Sequence, residues 1–327
     1  KDEFWKTPID DILYVLEQTG QLMIDKNKKY YNRSMEILPE LLGYSPSMVR
    51  LGISMLQDVL SIDSLSKRLN VLKDYHSIDY PCDIDNNITY ALPVGSVCHI
   101  AAGNIFLGAI DSLIYGIVTK NINIVKVSKK SPDFAYIFFE ALKEADKNNI
   151  LIPYISIIYW DRMNQSYIED YMKQHCDIIL LFGGREAVLN YKNGTSHKVN
   201  VVAFGPKLSF GLITKDLSYE RLEEIAMGFA KDIVMWEQNA CTSCQNIFIE
   251  EDANTQRFIE LLNESLEILG VTYENEYLTI DEKLEIRRTR SLYRYEEYEE
   301  KAKVIEGKSG HHTIIINHSK DIQDSPL

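Results

Sequence analysis

The chain has 327 residues, 45% of them hydrophobic and 25% charged, enough apolar content for a large buried core in two domains or one large one. Its 48 acidic against 35 basic side chains leave a net charge of −13, which disfavours nucleic acid and other polyanionic partners, whose binding relies on Lys and Arg neutralising phosphates. No run approaches the roughly 18 apolar residues of a membrane span. The opening Lys1-Asp-Glu-Phe-Trp has neither an initiator Met nor a signal-peptide pattern, so a trimmed piece of a longer cytoplasmic chain is expected.

From residue 8 to 72 the pattern is helical. Ile9, Ile12, Leu13 and Leu16 keep helical spacing, and "SPSMVRLGISMLQDVL" begins on Ser-Pro-Ser and then repeats apolar residues on one face. From about 89 the texture alternates. "TYALPVGSVCHIAAG", "NINIVKVS", "YISIIYW", "DIILLFGG" and "KVNVVAFGP" read as apolar, turn-bounded strands. Between them, "NIFLGAIDSLIYGIVTK", "SPDFAYIFFEALKEADK" and "NQSYIEDYMKQH" read as helices. Such alternation with apolar strands predicts an α/β fold around a parallel sheet covered on both faces. Ligands bind outside the carboxyl ends of the strands in such sheets. "AAGN" (101–104), "KVSKK" (126–130) and "FGG" (182–184) fall at those ends, although no G-x-G-x-x-G occurs in the chain.

A second unit is expected from 206. Leu222, Ile225, Ala226, Phe229 and Ile233 mark one helical face, "QNIFIEE" a strand, and Phe258, Leu261, Leu262, Leu266 and Leu269 a second helix that Gly270 is placed to end. The basic cluster Arg287-Arg-Thr-Arg290, set among acidic stretches, reads as a solvated helix face. His99 reads as a packed strand residue and His311-His312 as a loop pair.

Five cysteines, an odd number without a secretory signal, favour reduced thiols. Cys241 and Cys244 form a C-x-x-C between a helix and a strand. A zinc site needs four ligands, and Cys82, Cys98, Cys176 and the histidines supply no second pair at zinc spacing. A thioredoxin-type pair belongs at a helix N-terminus, whereas here the helix comes first. Two readings remain open on residue chemistry alone: small core cysteines, or one nucleophilic thiol in a polar loop of Glu237, Gln238, Asn239, Thr242, Ser243 and Gln245. Glu237 is given no catalytic role.

In their order, these segments resemble the aldehyde dehydrogenase superfamily, most closely its LuxC-like acyl-CoA/fatty-acid reductases, which make long-chain aldehyde for bacterial bioluminescence. "HIAAGNIFLGAIDSLIYGIVTKNINIVKVS" is similar to the first nucleotide segment of that branch, "DIILLFGGREAV" to the Phe-Thr-Gly-Ser turn, "FGPKLSFGLI" to the Gly-Gly-Lys strand and "WEQNACTSCQNIFIEE" to the nucleophile segment. The likeness spans about 5–327. It implies a helical N-terminal region with a Rossmann-type NADP(H)-binding domain over 1–205, and an α/β catalytic domain over 206–327, the family's C-terminal part lying beyond. It also implies that Cys241 is the nucleophile that carries the acyl group, and that Asn104, with the Cys241 backbone N–H, stabilises the oxyanion. Cofactor contacts are implied for Ala102, Gly103, Lys126 (on the ribose), Ser128, Lys129, Phe182, Gly183, Gly184, Arg185 and Val188. Cys244 has no counterpart role.

Two departures from the superfamily pattern refine this. Oxidising members place a Glu four residues before the lysine of Glu-Leu-Gly-Gly-Lys to activate water; counting back from Lys207 gives Ala203. Its absence favours acyl reduction over aldehyde oxidation. Members preferring NAD often carry an acidic residue three positions after the ribose lysine; here that position is Lys129, followed by Lys130. Two cations there attract a 2′-phosphate, so NADPH is expected in preference to NADH. The expected activity is reduction of an acyl-CoA or acyl-protein thioester, of fatty-acyl type, to the aldehyde. The resemblance also implies an acyl-protein synthetase partner and a homo-oligomer. The alternatives are a short-chain CoA-acylating aldehyde dehydrogenase and a non-catalytic nucleotide-binding scaffold.

Overall fold

The computed structural model describes residues 2–103, 105–129, 132–161, 164–214, 218–252 and 254–317. These fall into two compact units. One holds the residues up to Leu42 and from Val49 to Pro206, the other Gly43–Met48 and the residues from Lys207 onward.

The N-terminal helices are α1 (Asp2–Trp5), α2 (Ile9–Ile24), α3 (Lys29–Leu42), α4 (Pro46–Val59) and α5 (Ile62–Leu69). The helical spacing of Ile9, Ile12, Leu13 and Leu16 places all four on the buried face of α2. The start of α2 is capped from far along the chain: Asp79 accepts from the Ile9 backbone N–H at 3.1 Å. Asp79 also pairs with the ammonium of Lys120, which donates to the Trp5 carbonyl as well, so this buried cation has a charged partner and a second acceptor.

A short hairpin of β1 (Cys82–Ile84) and β2 (Asn87–Thr89) leads into the alternating part: β3 (Ser96–Ile100), α6 (Gly108–Val118), β4 (Ile122–Lys126), α7 (Pro132–Ala145), β5 (Ile155–Ile158), α8 (Ser166–His175), β6 (Ile178–Phe182), α9 (Arg185–Gly194) and β7 (Asn200–Phe204). The expected strand over 89–103 narrows to β3. Pro93 lacks a ladder N–H, and Gly95 turns at φ 133°, where an added Cβ would fall 2.2 Å from Asp177. The sheet has five parallel strands in the order β5-β4-β3-β6-β7. The chain therefore steps outward from β3 on one side and then on the other, which makes the carboxyl ends of β3 and β6 the topological switch point.

One face of this sheet, with Cys98, Ile100, Ile179 and Leu181, packs against Trp160, Met172 of α8 and Tyr191 of α9. The other face meets α6 through a buried polar chain. His99 Nδ1 lies 2.7 Å from Ser112 Oγ and its Nε2 3.0 Å from Asn123 Oδ1, while Asn123 donates to the Asn121 carbonyl at 2.6 Å. Burial pushes His99 down to about 4, so the ring is neutral near pH 7. An amide oxygen only accepts, so Nε2 carries the proton and Nδ1 accepts from the Ser112 hydroxyl. Gly116 is needed beside this chain, because a Cβ there would fall 1.8 Å from Asn123 Oδ1.

The second unit contains β8 (Ser209–Ile213), α10 (Leu222–Val234), β9 (Cys244–Ile249), α11 (Thr255–Thr272), α12 (Ile280–Tyr298), β10 (Ala302–Glu306) and β11 (Thr313–Asn317). β8 and β9 pair in parallel, β10 and β11 antiparallel. Leu222, Ala226 and Ala230 of α10 meet Phe258, Leu262 and Leu266 of α11 in its core. Two expectations change here. Gly270 does not end α11, which runs on to Thr272; instead it admits His311, whose Cβ would stand 2.9 Å from a methyl at that position. Arg290 is not a solvated side chain: it donates to Thr313 Oγ1 at 2.7 Å and to the Gly310 carbonyl at 2.8 Å, tying α12 to the β10–β11 hairpin. Arg287 and Arg288 are exposed as expected.

Candidate functional site

Each unit carries one group of the residues singled out in the sequence. In the first unit these lie at the carboxyl ends of the sheet strands. Ala102 and Gly103 follow β3 and are half-buried, and Asn104 lies outside the described residues. Lys126 is the last residue of β4, its ammonium 5.8 Å from the centre of the Trp160 ring. Ser128 is half-buried and Lys129 exposed in the turn that follows; Lys130 lies outside the described residues.

The end of β6 is built more tightly. Phe182 stacks on Phe204 with ring centres 4.7 Å apart, and Gly183 donates to the Phe204 carbonyl at 3.3 Å. An added Cβ at Gly183 would approach Ala187 to 3.1 Å, whereas one at Gly184 would meet open space. Gly184 is the N-cap of α9, Arg185 its first residue, and Val188 closes the first turn by donating to the Gly184 carbonyl at 3.1 Å. The topology thus brings two groups to the switch point, 102–103 after β3 and 182–188 around the start of α9. The α9 N-terminus, with its unpaired backbone N–H groups, and the cations Lys126 and Lys129 suit an anionic nucleotide ligand. The Trp160 partner of Lys126 comes from beyond β5 and has no spacing signal in the sequence. Ala203, where the oxidising members' base would stand, packs its methyl against the sheet core, so no carboxylate occupies it.

In the second unit Cys241 sits in the connection from α10 to β9. It is exposed, whereas Cys82, Cys98, Cys176 and Cys244 are all buried. Cys244 opens β9, donates to the Asn246 carbonyl at 3.2 Å, and has its thiol pushed up by burial. The two thiols of the C-x-x-C therefore differ in kind, one in solvent and one in a strand. The loop around Cys241 is fixed by its polar residues. Ser209 of β8 donates to the Cys241 carbonyl at 2.7 Å, Gln238 to the Cys244 carbonyl at 3.1 Å and Gln245 to the Gln238 carbonyl at 2.9 Å. Between α10 and this loop the backbone is left-handed at three successive residues, Trp236 (φ 60°), Glu237 (φ 51°) and Gln238 (φ 56°). Trp236 is buried there against Tyr44, ring centres 6.0 Å apart. Neither the left-handed turn nor the roles of Ser209 and Tyr44 had a signal in the sequence, since none of these positions is Gly and their partners are remote.

The family model of acyl-CoA reductases (LuxC) matches residues 5–327. The long-chain acyl-protein thioester reductase of Vibrio harveyi is 32% identical over 269 residues, covering 80% of this chain and 55% of the relative. That of Aliivibrio fischeri is 27% identical over 302 residues, or 91% of this chain and 61% of the relative. The chain spans about half the length of the curated relatives it matches. Among solved structures, an NAD-dependent benzaldehyde dehydrogenase from Corynebacterium glutamicum superposes with a TM-score of 0.70 at 16% identity, covering 96% of this chain and 67% of that one. A glyceraldehyde-3-phosphate dehydrogenase from Methanocaldococcus jannaschii, complexed with NADP, gives 0.61 at 14% identity over 80% of this chain and 55% of that one. The fold is that of the aldehyde dehydrogenases: a Rossmann-type parallel sheet with a helical N-terminal region.

Proposed function

Since the chain belongs to the acyl-CoA reductase (LuxC) family, we propose that it carries the NADPH-dependent reduction of an acyl thioester to the aldehyde, with Cys241 as acyl carrier. The observation that carries this reading is the contrast among the five cysteines: Cys241 alone is exposed, in a loop that its polar neighbours hold in shape.

The Cys241 thiolate attacks the carbonyl carbon of an acyl-CoA or acyl-protein thioester, and the departing thiol takes up a proton. Charge on the carbonyl oxygen is met by the Cys241 backbone N–H, and the family resemblance gives the side-chain amide of Asn104 the same task. The Ser209 hydrogen bond on the Cys241 carbonyl fixes the peptide plane that follows the nucleophile. NADPH, when bound, supplies the hydride to the acyl carbon. Cleavage of the carbon–sulfur bond then frees the aldehyde and restores the thiol. With Ala203 in place of a carboxylate, no side chain at that position activates water against the thioester.

The first unit fits the cofactor. Gly183 lets α9 pack closely on the end of β6; the α9 N-terminus would hold the cofactor phosphates and Lys126 the ribose. Lys129, exposed after β4, would meet the 2′-phosphate of NADPH. In this division of labour the residues to 205 bind NADPH and those from 206 carry the nucleophile. The acyl donor is of fatty-acyl type, delivered by an acyl-protein synthetase to a homo-oligomer.

Incubation with isotope-labelled acyl-CoA, followed by mass spectrometry of the Cys241 peptide, tests the acyl step. A single adduct on Cys241, absent in Cys241→Ala, is the expected result; an undiminished adduct in that variant would refute the assignment. For the cofactor, Lys129→Glu weakens NADPH at least tenfold more than NADH, measured by fluorescence titration. Equal weakening of both would remove the 2′-phosphate assignment.

A further inference from the structure

Trp160 occupies its place beyond β5 at some cost to the fold. It is 1% exposed, packed with Ile100, Met172 of α8 and Tyr191 of α9, and among the described residues its indole N–H has no acceptor. A buried Trp normally finds a partner for that group, and leaving it without one is destabilising. A leucine or phenylalanine would fill the same core without bringing in a donor. Packing alone therefore does not account for an indole here. Of all side chains, Trp attracts a cation to its ring face most strongly, and the Lys126 ammonium lies over this one, 5.8 Å from the ring centre.

The Lys126 backbone is fixed on both sides. The Ala101 N–H donates to the Lys126 carbonyl at 3.1 Å, and the Val127 N–H donates to the Ile158 carbonyl at 3.0 Å. In register, Lys126 stands between Ile100 of β3 and Ile158 of β5, two residues that pack on the face covered by α8 and α9. Its four-carbon stem has many rotamers, and a ring face beside the ammonium narrows them. Trp160 is mounted firmly enough to do this. The next residue, Asp161, donates from its N–H to Gln165 Oε1 at 2.9 Å and accepts from the Gln165 N–H at 2.7 Å, which pins the turn into α8.

We propose that Trp160 is a positioning residue for the cofactor: its ring face holds the Lys126 ammonium at the carboxyl end of β4, on the same side of the sheet as α9, where the adenosine ribose of NADPH would lie. This rests on the reading of Lys126 as the ribose contact. The choice of a ring over a carboxylate has a chemical reason. A ring face takes none of the ammonium's N–H donors, whereas a carboxylate would occupy them and compete with the ribose hydroxyls.

The test is a double-mutant cycle read by titration with NADPH, following the fluorescence of its nicotinamide. Trp160→Leu should weaken NADPH about three- to tenfold in the unmodified chain, and by less than about twofold in a Lys126→Met background. A Trp160 that merely supports the core would weaken NADPH by the same factor in both backgrounds. That result, or no weakening at all, overturns the proposal. If Trp160→Leu lowers Tm, Trp160→Phe takes its place, since it keeps a ring with a weaker pull on the cation. Its expected effect is about threefold, again only where Lys126 is present. If Lys126→Met itself leaves NADPH binding unchanged, the ribose reading fails, and the contact is then read without cofactor. The emission of Trp160, taken as the difference between spectra with and without the Trp160 substitution, should shift its maximum on Lys126→Met. An unmoved maximum overturns the hold of the ring on the ammonium, so the two failures are separable.

Discussion

At the scale of single residues, burial decides more than residue type. His99 shows this with a sign that can be checked. The folded chain refuses a proton that the unfolded chain accepts between about pH 6.5 and pH 4, so the stability present above that window is lost as pH falls through it. The loss amounts to about 3 kcal/mol by pH 4. Urea unfolding at pH 7 and pH 4.5 should give a smaller difference between the two pH values for His99→Gln than for the unmodified chain. Equal differences would mean that His99 does not titrate as its burial requires. The sequence placed His99 in a packed strand, because its neighbours Val97, Cys98 and Ile100 are apolar. It did not reveal Glu237, whose carboxyl is pushed up to about 7 first by burial and then by the charge of Glu282, a residue far along the chain. Cys241 lies between these cases. Its polar neighbours marked the loop, but only burial separates it from Cys244.

At the scale of elements, the helices and strands with apolar periodicity were legible, whereas the polar ones were legible only in part, through α8 and the helix face at 287–290. α2, α6 and α7 follow their stripes, and β4 to β7 their apolar runs. α9, "REAVLNYKNG", is too polar to announce itself, and α12 carries its charges on nearly every face. α12 is instead started by a capping box, Thr279 with Glu282, and held by Arg290. Close approach between elements sets the strongest mutational prediction. In Gly116→Ala the new methyl must displace Asn123 or His99, the nearest atoms being at 1.8 and 2.9 Å. Overpacking combined with a broken buried hydrogen bond should cost about 3 kcal/mol in chemical denaturation. Gly228→Ala, in an exposed part of α10 with nothing within 4 Å, should be neutral or slightly stabilising.

At the scale of the whole molecule, the order of the segments carried the family, since each motif alone is short. The chain lacks the glycine fingerprint of ordinary dinucleotide folds yet has the sheet order that creates a switch point, so topology was readable through strand alternation where the motif was missing. The reach of the 43–48 segment into the second unit was not readable, because six residues have no pattern of their own. The charge of −13 belongs to this scale too: with an isoelectric point near 5.1, the 327-residue chain should be least soluble around pH 5, measured by turbidity across pH 4 to 8. A minimum above pH 6 would indicate that many carboxyls besides Glu237 are held neutral.

The His99–Ser112–Asn123 chain also acts as a register key. Apolar strands such as β3 and β4 slide past one another at little cost, because Ile and Val fill each other's places. A slip of β4 by one residue turns Asn123 to the opposite face and sets an isoleucine before His99, leaving the ring N–H of His99 without an acceptor in the dry interior. One pairing satisfies His99, Ser112 and Asn123 together and its neighbours do not, so a few hydrogen bonds proofread the alignment of β3 and β4, two of the strands on which the cofactor loops are mounted.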